Sequence, residues 1–282
     1  MRIAAAQIDI ELGQLKRNLE KIERWIHKAG AEGIDLIVFP ECALCGYCFE
    51  SRAEALPHAI GIDDPCWQNI SRCLMQAGVQ AAAIGYLERD GDRLYNALAL
   101  VTESGVVGGY RKIHLPHLGI DRFVDRGNRP YAVHEVGGMK IGLAICYDCS
   151  FPEPMRVLGL LRADVIALAT NWPMAAQQTA RIVPAARSME NHLFFVAANR
   201  IGQERAFSFC GLSSIWGPDG IQLARASDHD EQLISAVIDL GVARNKRIER
   251  TKGAHVIDRF ADRRPEFYGP ILDPIPPEPE QN

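Results

Sequence analysis

The chain has 282 residues, 48% hydrophobic and 23% charged, which excludes a fibrous or disordered body and leaves ample material for a continuous apolar core. With 31 Lys and Arg against 35 Asp and Glu, the formal charge is −4 and no sustained basic run exists, so neither nucleic acid nor a membrane surface is expected as a partner. The apolar runs are far shorter than the roughly 20 residues of a membrane span, and eight cysteines are too sparse for a disulfide scaffold; no signal peptide, and a cytoplasmic protein with free thiols, are expected.

Residues 2–8 and 34–40 read as buried strands, and Leu15, Leu19, Ile22, Ile26 and Ala29 between them have helical spacing. A second helix is expected from Asp63 or Asp64 as N-cap, with Trp67, Ile70, Leu74 and Ala77 facing inward. Strands over 81–88, 94–102 and 106–112, separated by Arg89-Asp90-Gly91-Asp92 and Glu103-Ser104-Gly105, suit an antiparallel meander. A hairpin over 131–136 and 139–146 follows. Next come a helix over 152–162, a strand over 164–170, a helix over 175–191 that Pro184 should kink or begin, and a strand over 193–199. Strands over 207–216, 221–225 and 233–238 precede a short basic helix over 243–250. The expected organisation is one α/β domain over 1–265 and an extended Pro-rich tail over 266–282.

Glu41, Lys112 and Cys146 each sit just past the end of a strand-like run, where α/β proteins place their sites. Taken singly, Glu41 reads equally as a solvated loop carboxylate, Lys112 as a surface charge and Cys146 as inert core. Together they supply a nucleophile, a base to deprotonate it and a cation to stabilise developing negative charge.

Here the sequence resembles the carbon-nitrogen hydrolase family, or nitrilase superfamily. The resemblance lies in Phe39-Pro40-Glu41 with Gly46-Tyr47, in Tyr110-Arg111-Lys112-Ile113-His114-Leu115-Pro116, and in Ile145-Cys146-Tyr147-Asp148 with Phe151-Pro152-Glu153. Asn171-Trp172, Asn199-Arg200-Ile201-Gly202 and Pro218-Asp219-Gly220 continue it in order to about residue 240. The resemblance implies a four-layer αββα sandwich and a Glu41, Lys112, Cys146 triad working through a thioester. It also implies Asp121 in the place of a second family glutamate, one methylene shorter. Homodimers or larger even assemblies are implied as well. Tyr47, Phe123, Phe151 and Trp172 are expected to wall the pocket, and the Tyr147 backbone N–H to meet an oxyanion. Tyr147-Asp148 after the cysteine looks like the amidase and carbamoylase branches, with a small linear amide or N-carbamoyl compound as substrate and no cofactor. A nitrile substrate and a non-catalytic member of the fold are the alternatives.

Other constellations compete. Cys42, Cys45 and Cys48 have a C-x2-C-x2-C spacing that elsewhere holds metal, but no fourth ligand is suitably spaced and a metal would crowd Glu41, so no metal is expected. Cys146 and Cys149 form a C-x-x-C without a thioredoxin-like context. The resemblance gives His114 a structural role bonded to backbone, and Arg187, Glu190 and Asn191 read as an internal helix pair. His58, Arg122 and Arg181 are candidates for a substrate carboxylate, within or near the specificity loops 42–57, 115–130 and 172–180.

Overall fold

The computed structural model describes residues 1–273 and falls into two units, Met1–Arg244 and a second from Asn245 onward. In chain order the first unit runs β1 (Arg2–Gln7), α1 (Leu15–Ala31), β2 (Leu36–Val38), α2 (Arg52–Ala55), α3 (Cys66–Ala77), β3 (Ala81–Asp90), β4 (Arg93–Thr102) and β5 (Gly105–Arg111). It continues with β6 (Val133–Val136), β7 (Met139–Ile145), α4 (Pro152–Leu160), β8 (Val165–Ala169), α5 (Gln177–Asn191), β9 (Phe194–Ala198) and the small ribbon β10 (Gln203–Glu204) and β11 (Phe207–Ser208). It closes with β12 (Ser214–Trp216), β13 (Gln222–Arg225), β14 (Gln232–Val237) and α6 (Leu240–Arg244).

Strand periodicity sets the layer order. Ile3, Ala5, Leu36, Val38, Ala81 and Ala83 belong to one core, and their alternating neighbours Ala4, Ala6, Ile37, Ala82 and Ile84 to another. A sheet buried on both faces must be covered twice. The second core is closed by Ile22 and Ile26 of α1 and Ile70 and Leu74 of α3, each such side chain contributing about 1.5–3 kcal/mol when buried. The first core is closed by a second sheet, through contacts of β1 with β9, β3 with β8 and β4 with β7. Beyond that sheet, Met155 and Leu158 of α4 and Ala180 of α5 complete the packing. This is the expected αββα sandwich.

The two sheets have the orders β14-β1-β2-β3-β4-β5 and β13-β12-β9-β8-β7-β6. Each contains three parallel strands, β1-β2-β3 and β7-β8-β9, flanked by antiparallel partners. Among the described residues no helix is long and apolar enough to cross a membrane.

Three expectations are corrected. The strand expected over 207–216 is broken into β11 and β12, because Gly211 and Leu212 adopt φ of +57° and +58° and Gly211 O accepts from Asn199 Nδ2 instead of a sheet neighbour. The helix expected over 243–250 ends at Arg244. Asp239 Oδ1, accepting from Gly241 N, sets its start, and the chain after it forms the hairpin β15 (Arg247–Thr251) and β16 (His255–Asp258). For Pro184 only the alternative that it begins the helix is overturned, because it lies buried inside α5, which starts at Gln177. Of the Pro-rich tail, the described part contains the turns Pro265–Phe267 and Gly269–Ile271, and residues 274–282 lie outside the described residues.

Candidate active site

Glu41 follows β2, whose pairing with β3 is prolonged by Phe39 N donating to Ala83 O. The chain then crosses β3 so closely that a Cβ on Gly85 would lie 2.4 Å from Pro40 O and 2.7 Å from Glu41 Cα. Glycine is required there by approach rather than by a turn. Asn171 Nδ2 donates to Glu41 O at 2.9 Å and holds the backbone from the other side.

Lys112 follows β5. Its N–H donates to Asn96 O on β4 and its carbonyl accepts from Gly127 N, both at 2.8 Å, so the backbone is fixed while the side chain turns inward. The next residue back, Arg111, points the opposite way into a buried pair with Glu88 at 2.6 Å. Alternation along the strand thus separates two cations that adjacent in sequence would otherwise repel.

Inside, Lys112 Nζ lies 2.6 Å from Glu41 Oε1 and 2.6 Å from Asp121 Oδ2, with all three side chains withdrawn from solvent. Asn96 Nδ2 donates to Glu41 Oε1 at 2.7 Å and to Asp121 Oδ1 at 2.9 Å, and the Tyr47 hydroxyl donates to Asp121 Oδ2 at 2.7 Å. The shorter aspartate therefore reaches the ammonium. Glu41 Oε2 is buried and has no hydrogen-bond partner. Burial raises the Glu41 carboxyl above its usual range and the Asp121 charge adds to this, against the opposing pull of Lys112. Burial alone would lower the Lys112 ammonium, but Asp121 and Glu41 outweigh it and Lys112 stays charged.

Cys146 follows β7 at φ +42°, a left-handed backbone that a non-glycine residue adopts only under constraint, and opens a single-turn segment over Cys146–Ser150. The first N–H groups of such a turn have no partner within it. The turn is anchored by Asp148, whose Oδ2 accepts from Ile145 N at 3.0 Å and whose Oδ1 lies 2.7 Å from His114 Nδ1. Arg187 of α5 adds bonds to Cys149 O at 2.8 Å and Ser150 O at 3.2 Å. Burial raises the Cys146 thiol well above its usual value, as does the Glu41 charge; Lys112, the Thr170 hydroxyl and the Asn171 backbone N–H act against this. The charges of Glu41 and Lys112 thus both act on the sulfur, in opposite directions.

The expected pocket aromatics divide. Tyr47 is fully buried within the polar cluster, with Gly119 so close that a Cβ there would lie 2.5 Å from its ring. Tyr147 is 38% exposed, edge-on to Phe151 at 5.0 Å, and Phe151 in turn stacks on His114 at 4.2 Å. Trp172 is buried and its backbone N–H donates to Asn199 Oδ1. Phe123 packs beside the group containing Tyr47 and Ile120, with the Arg122 guanidinium over its ring at 4.7 Å.

His114 is structural, but its partner is the Asp148 carboxylate rather than backbone, because a buried carboxylate needs donors that this turn cannot supply alone. Arg187 pairs with Glu190 at 3.0 Å, as expected. The thiols of Cys42 and Cys45 donate to Asn96 Oδ1 and to the Cys42 and Gly46 carbonyls. Of the candidate carboxylate binders, Arg122 donates to Gly119 O and Phe49 O, His58 stacks on Phe49, and Arg181 is exposed.

Sequence reasoning missed Asn96, Asp148 and Glu204. Glu204, paired with the fully buried Arg200, accepts from Tyr47 N at 2.9 Å and Cys48 N at 2.8 Å and so fixes the Tyr47 loop. A polar residue inside the apolar run Leu94-Tyr95-Asn96-Ala97-Leu98 was the available signal for Asn96.

An αββα sandwich that gathers carboxylate, ammonium and thiol at strand ends defines a class of α/β proteins with a charged, buried cysteine site. The chain matches the family model for carbon-nitrogen hydrolases over residues 2–248, and it belongs to that family. It is 37% identical over 272 residues to a nitrilase of Pyrococcus abyssi, covering 95% of this chain and 99% of that protein. It is 28% identical over 282 residues to N-carbamoylputrescine amidase of Arabidopsis thaliana, covering 92% and 91%. Among solved structures, a nitrilase-superfamily amidase of Nesterenkonia AN1 has the same fold, with a TM-score of 0.82 at 22% identity over 96% of this chain and 97% of that one.

Proposed function

We propose that the protein cleaves the C–N bond of a small linear amide or N-carbamoyl compound through a thioester on Cys146. The observation that carries this reading is the asymmetry of Glu41: Oε1 accepts from Lys112 and Asn96, while buried Oε2 is left without a donor. Such an oxygen is a base awaiting a proton.

Glu41 Oε2 takes the proton of Cys146 Sγ as the sulfur attacks the substrate carbonyl carbon, because burial makes a free thiolate unfavourable before substrate arrives. An ammonium has three N–H donors, and Glu41 and Asp121 occupy two of those on Lys112, leaving one for the oxyanion. The Tyr147 N–H, in the first positions of the turn, supplies a second donor. Collapse of the tetrahedral intermediate breaks the C–N bond, the nitrogen leaves with the proton from Glu41, and an acyl group remains on sulfur. Water gives its proton to Glu41, attacks the thioester, and releases the acid and the thiol. A mutant of the amidase of Nesterenkonia sp. AN1 carries the acetamide moiety of fluoroacetamide covalently on its active-site cysteine, which supports a nucleophilic sulfur here.

The likeness to the Pyrococcus abyssi nitrilase favours a nitrile as the second reading. A panel of primary amides, ureido acids and nitriles, followed by ammonia release and intact mass, separates the two. An acyl adduct on the wild type that is absent from Cys146→Ala supports the mechanism, and amide turnover without nitrile turnover supports the substrate. Ammonia from no member of the panel would favour a non-catalytic protein. The eight free thiols suit the reducing, cytoplasmic setting expected from the sequence.

A further inference from the structure

Asn96 sits in the interior of β4, 1% exposed, where an amide is unfavourable unless its groups are paired. Both hydrogens of Nδ2 point at carboxylates, Glu41 Oε1 at 2.7 Å and Asp121 Oδ1 at 2.9 Å, and Oδ1 accepts from the Cys42 thiol at 3.6 Å. Flipping the amide would set its oxygen against two anionic oxygens, so the assignment of nitrogen and oxygen is forced. One nitrogen therefore joins the two acids that Lys112 also joins, and the bonds are not distributed evenly. Glu41 Oε1 receives two donors, both Asp121 oxygens receive at least one, and Glu41 Oε2 receives none.

We propose that Asn96 is a positioning residue of the reaction: by engaging Glu41 Oε1 and Asp121 Oδ1 with a single amide nitrogen, it confines proton transfer to Glu41 Oε2 and keeps Asp121 from acting as the base. This inference rests on the reading of Glu41 as general base. Two carboxylates and one ammonium carry an excess negative charge, and without a further donor such a pair shares a proton. Asn96 supplies neutral donors to both acids, which leaves Glu41 Oε2 as the one carboxylate oxygen of the pair without a donor. The groups that face this cluster are Cys42 on the Glu41 segment, Lys112 after β5, Tyr47 and Asp121 on their loops, and Cys146 after β7. Asn96 is the neutral side chain that donates to both acids, so its replacement alters the two together while Glu41, Lys112 and Cys146 stay in place.

The test is the pH dependence of Cys146 alkylation by iodoacetamide, read by peptide mass spectrometry on the full chain, for the wild type, Glu41→Gln, Asn96→Asp and Asn96→Ser. This readout needs no knowledge of the substrate. The wild type is expected to show an acid limb below the ordinary thiol range that Glu41→Gln abolishes. Asn96→Asp, nearly isosteric, removes both donors and adds a carboxylate beside Glu41, and is expected to raise the midpoint of that limb by roughly one pH unit or more; Asn96→Ser separates the loss of a donor from the added charge. Asn96→Ser, which keeps one donor, is expected to raise it by less, and it carries the test if Asn96→Asp does not fold. An unmoved midpoint in a folded variant, including a loss of rate equal at every pH, overturns the role of Asn96. A wild type without a Glu41-dependent limb overturns the base reading beneath it.

Discussion

Glu41 and Cys146 are both buried and both act under the charge of one ammonium, and the Glu41 charge raises the cost of ionising the thiol. In the proposed scheme this leaves a neutral thiol and an ionised carboxylate that exchange a proton as the carbon–sulfur bond forms. Because the Glu41 carboxyl is raised above its usual 4.5 and must be ionised to act, kcat/KM is expected to fall as pH drops through a midpoint above that value. Glu41→Gln should lower kcat by roughly 10²–10⁴-fold, the usual worth of a positioned acid–base group. A Glu41→Gln rate within a factor of about three of wild type would remove the base from the scheme. Asp121→Asn removes one of the two anions holding Lys112, and turnover unaltered by it would retire Asp121 from the site.

At the scale of elements, the site depends on close crossings and on loops tied by charge. Gly85→Ala places a methyl group against the Glu41 backbone, an overpacking that should cost about 1–3 kcal/mol and lower kcat more than it raises KM. A melting temperature and rate equal to wild type would show that the crossing has room to spare. Asp125 links α2 to β4 through Arg52, Arg93 and the Leu94 N–H. Although burial pushes it up, the Leu94 N–H and the Arg93 and Arg52 guanidinium groups win, and the carboxyl drops to about 2. A depressed carboxyl stabilises the fold above its unfolded value of 3.8, and that contribution disappears as pH falls from there toward 2. Screening at this partly exposed group limits it to about 1 kcal/mol. Urea unfolding of Asp125→Asn should show the loss at pH 7 and little difference from wild type near pH 2.

The elements that local pattern describes were legible in the sequence. The apolar spacing of Leu15 to Ala29 matches α1, and the turns at Asp90-Gly91 and Ser104-Gly105 match the β3-β4-β5 meander. Glu41, Lys112 and Cys146 stood out because strand ends are where side chains leave the core. Asn96 and Asp148 did not, since the acids and histidine that explain them arrive from distant segments. The break at Gly211 and Leu212 was equally hidden, being set by Asn199 on another strand.

At the scale of the whole molecule, Ile182 and Met189 on α5 are 60% and 43% exposed, and Val157 and Leu160 of α4 also face outward. Apolar side chains of this size on neighbouring helices fit the homodimer implied by the family resemblance. Light scattering after size exclusion should give twice the chain mass, and Ile182→Glu should give the single mass. A wild type that elutes as a monomer at micromolar concentration would exclude that face as a stable interface. Arg187, which grips the Cys146 turn from the same helix, makes activity a second readout of that pairing.

The central claim is that Cys146 becomes covalently acylated. Acid quenching of the wild-type protein with a saturating, turned-over amide, followed by peptide mapping, reads this directly. The account predicts the acyl mass on the peptide containing Cys146 and on none of the other seven cysteines. Steady hydrolysis with unmodified Cys146, persisting in Cys146→Ala, would contradict it.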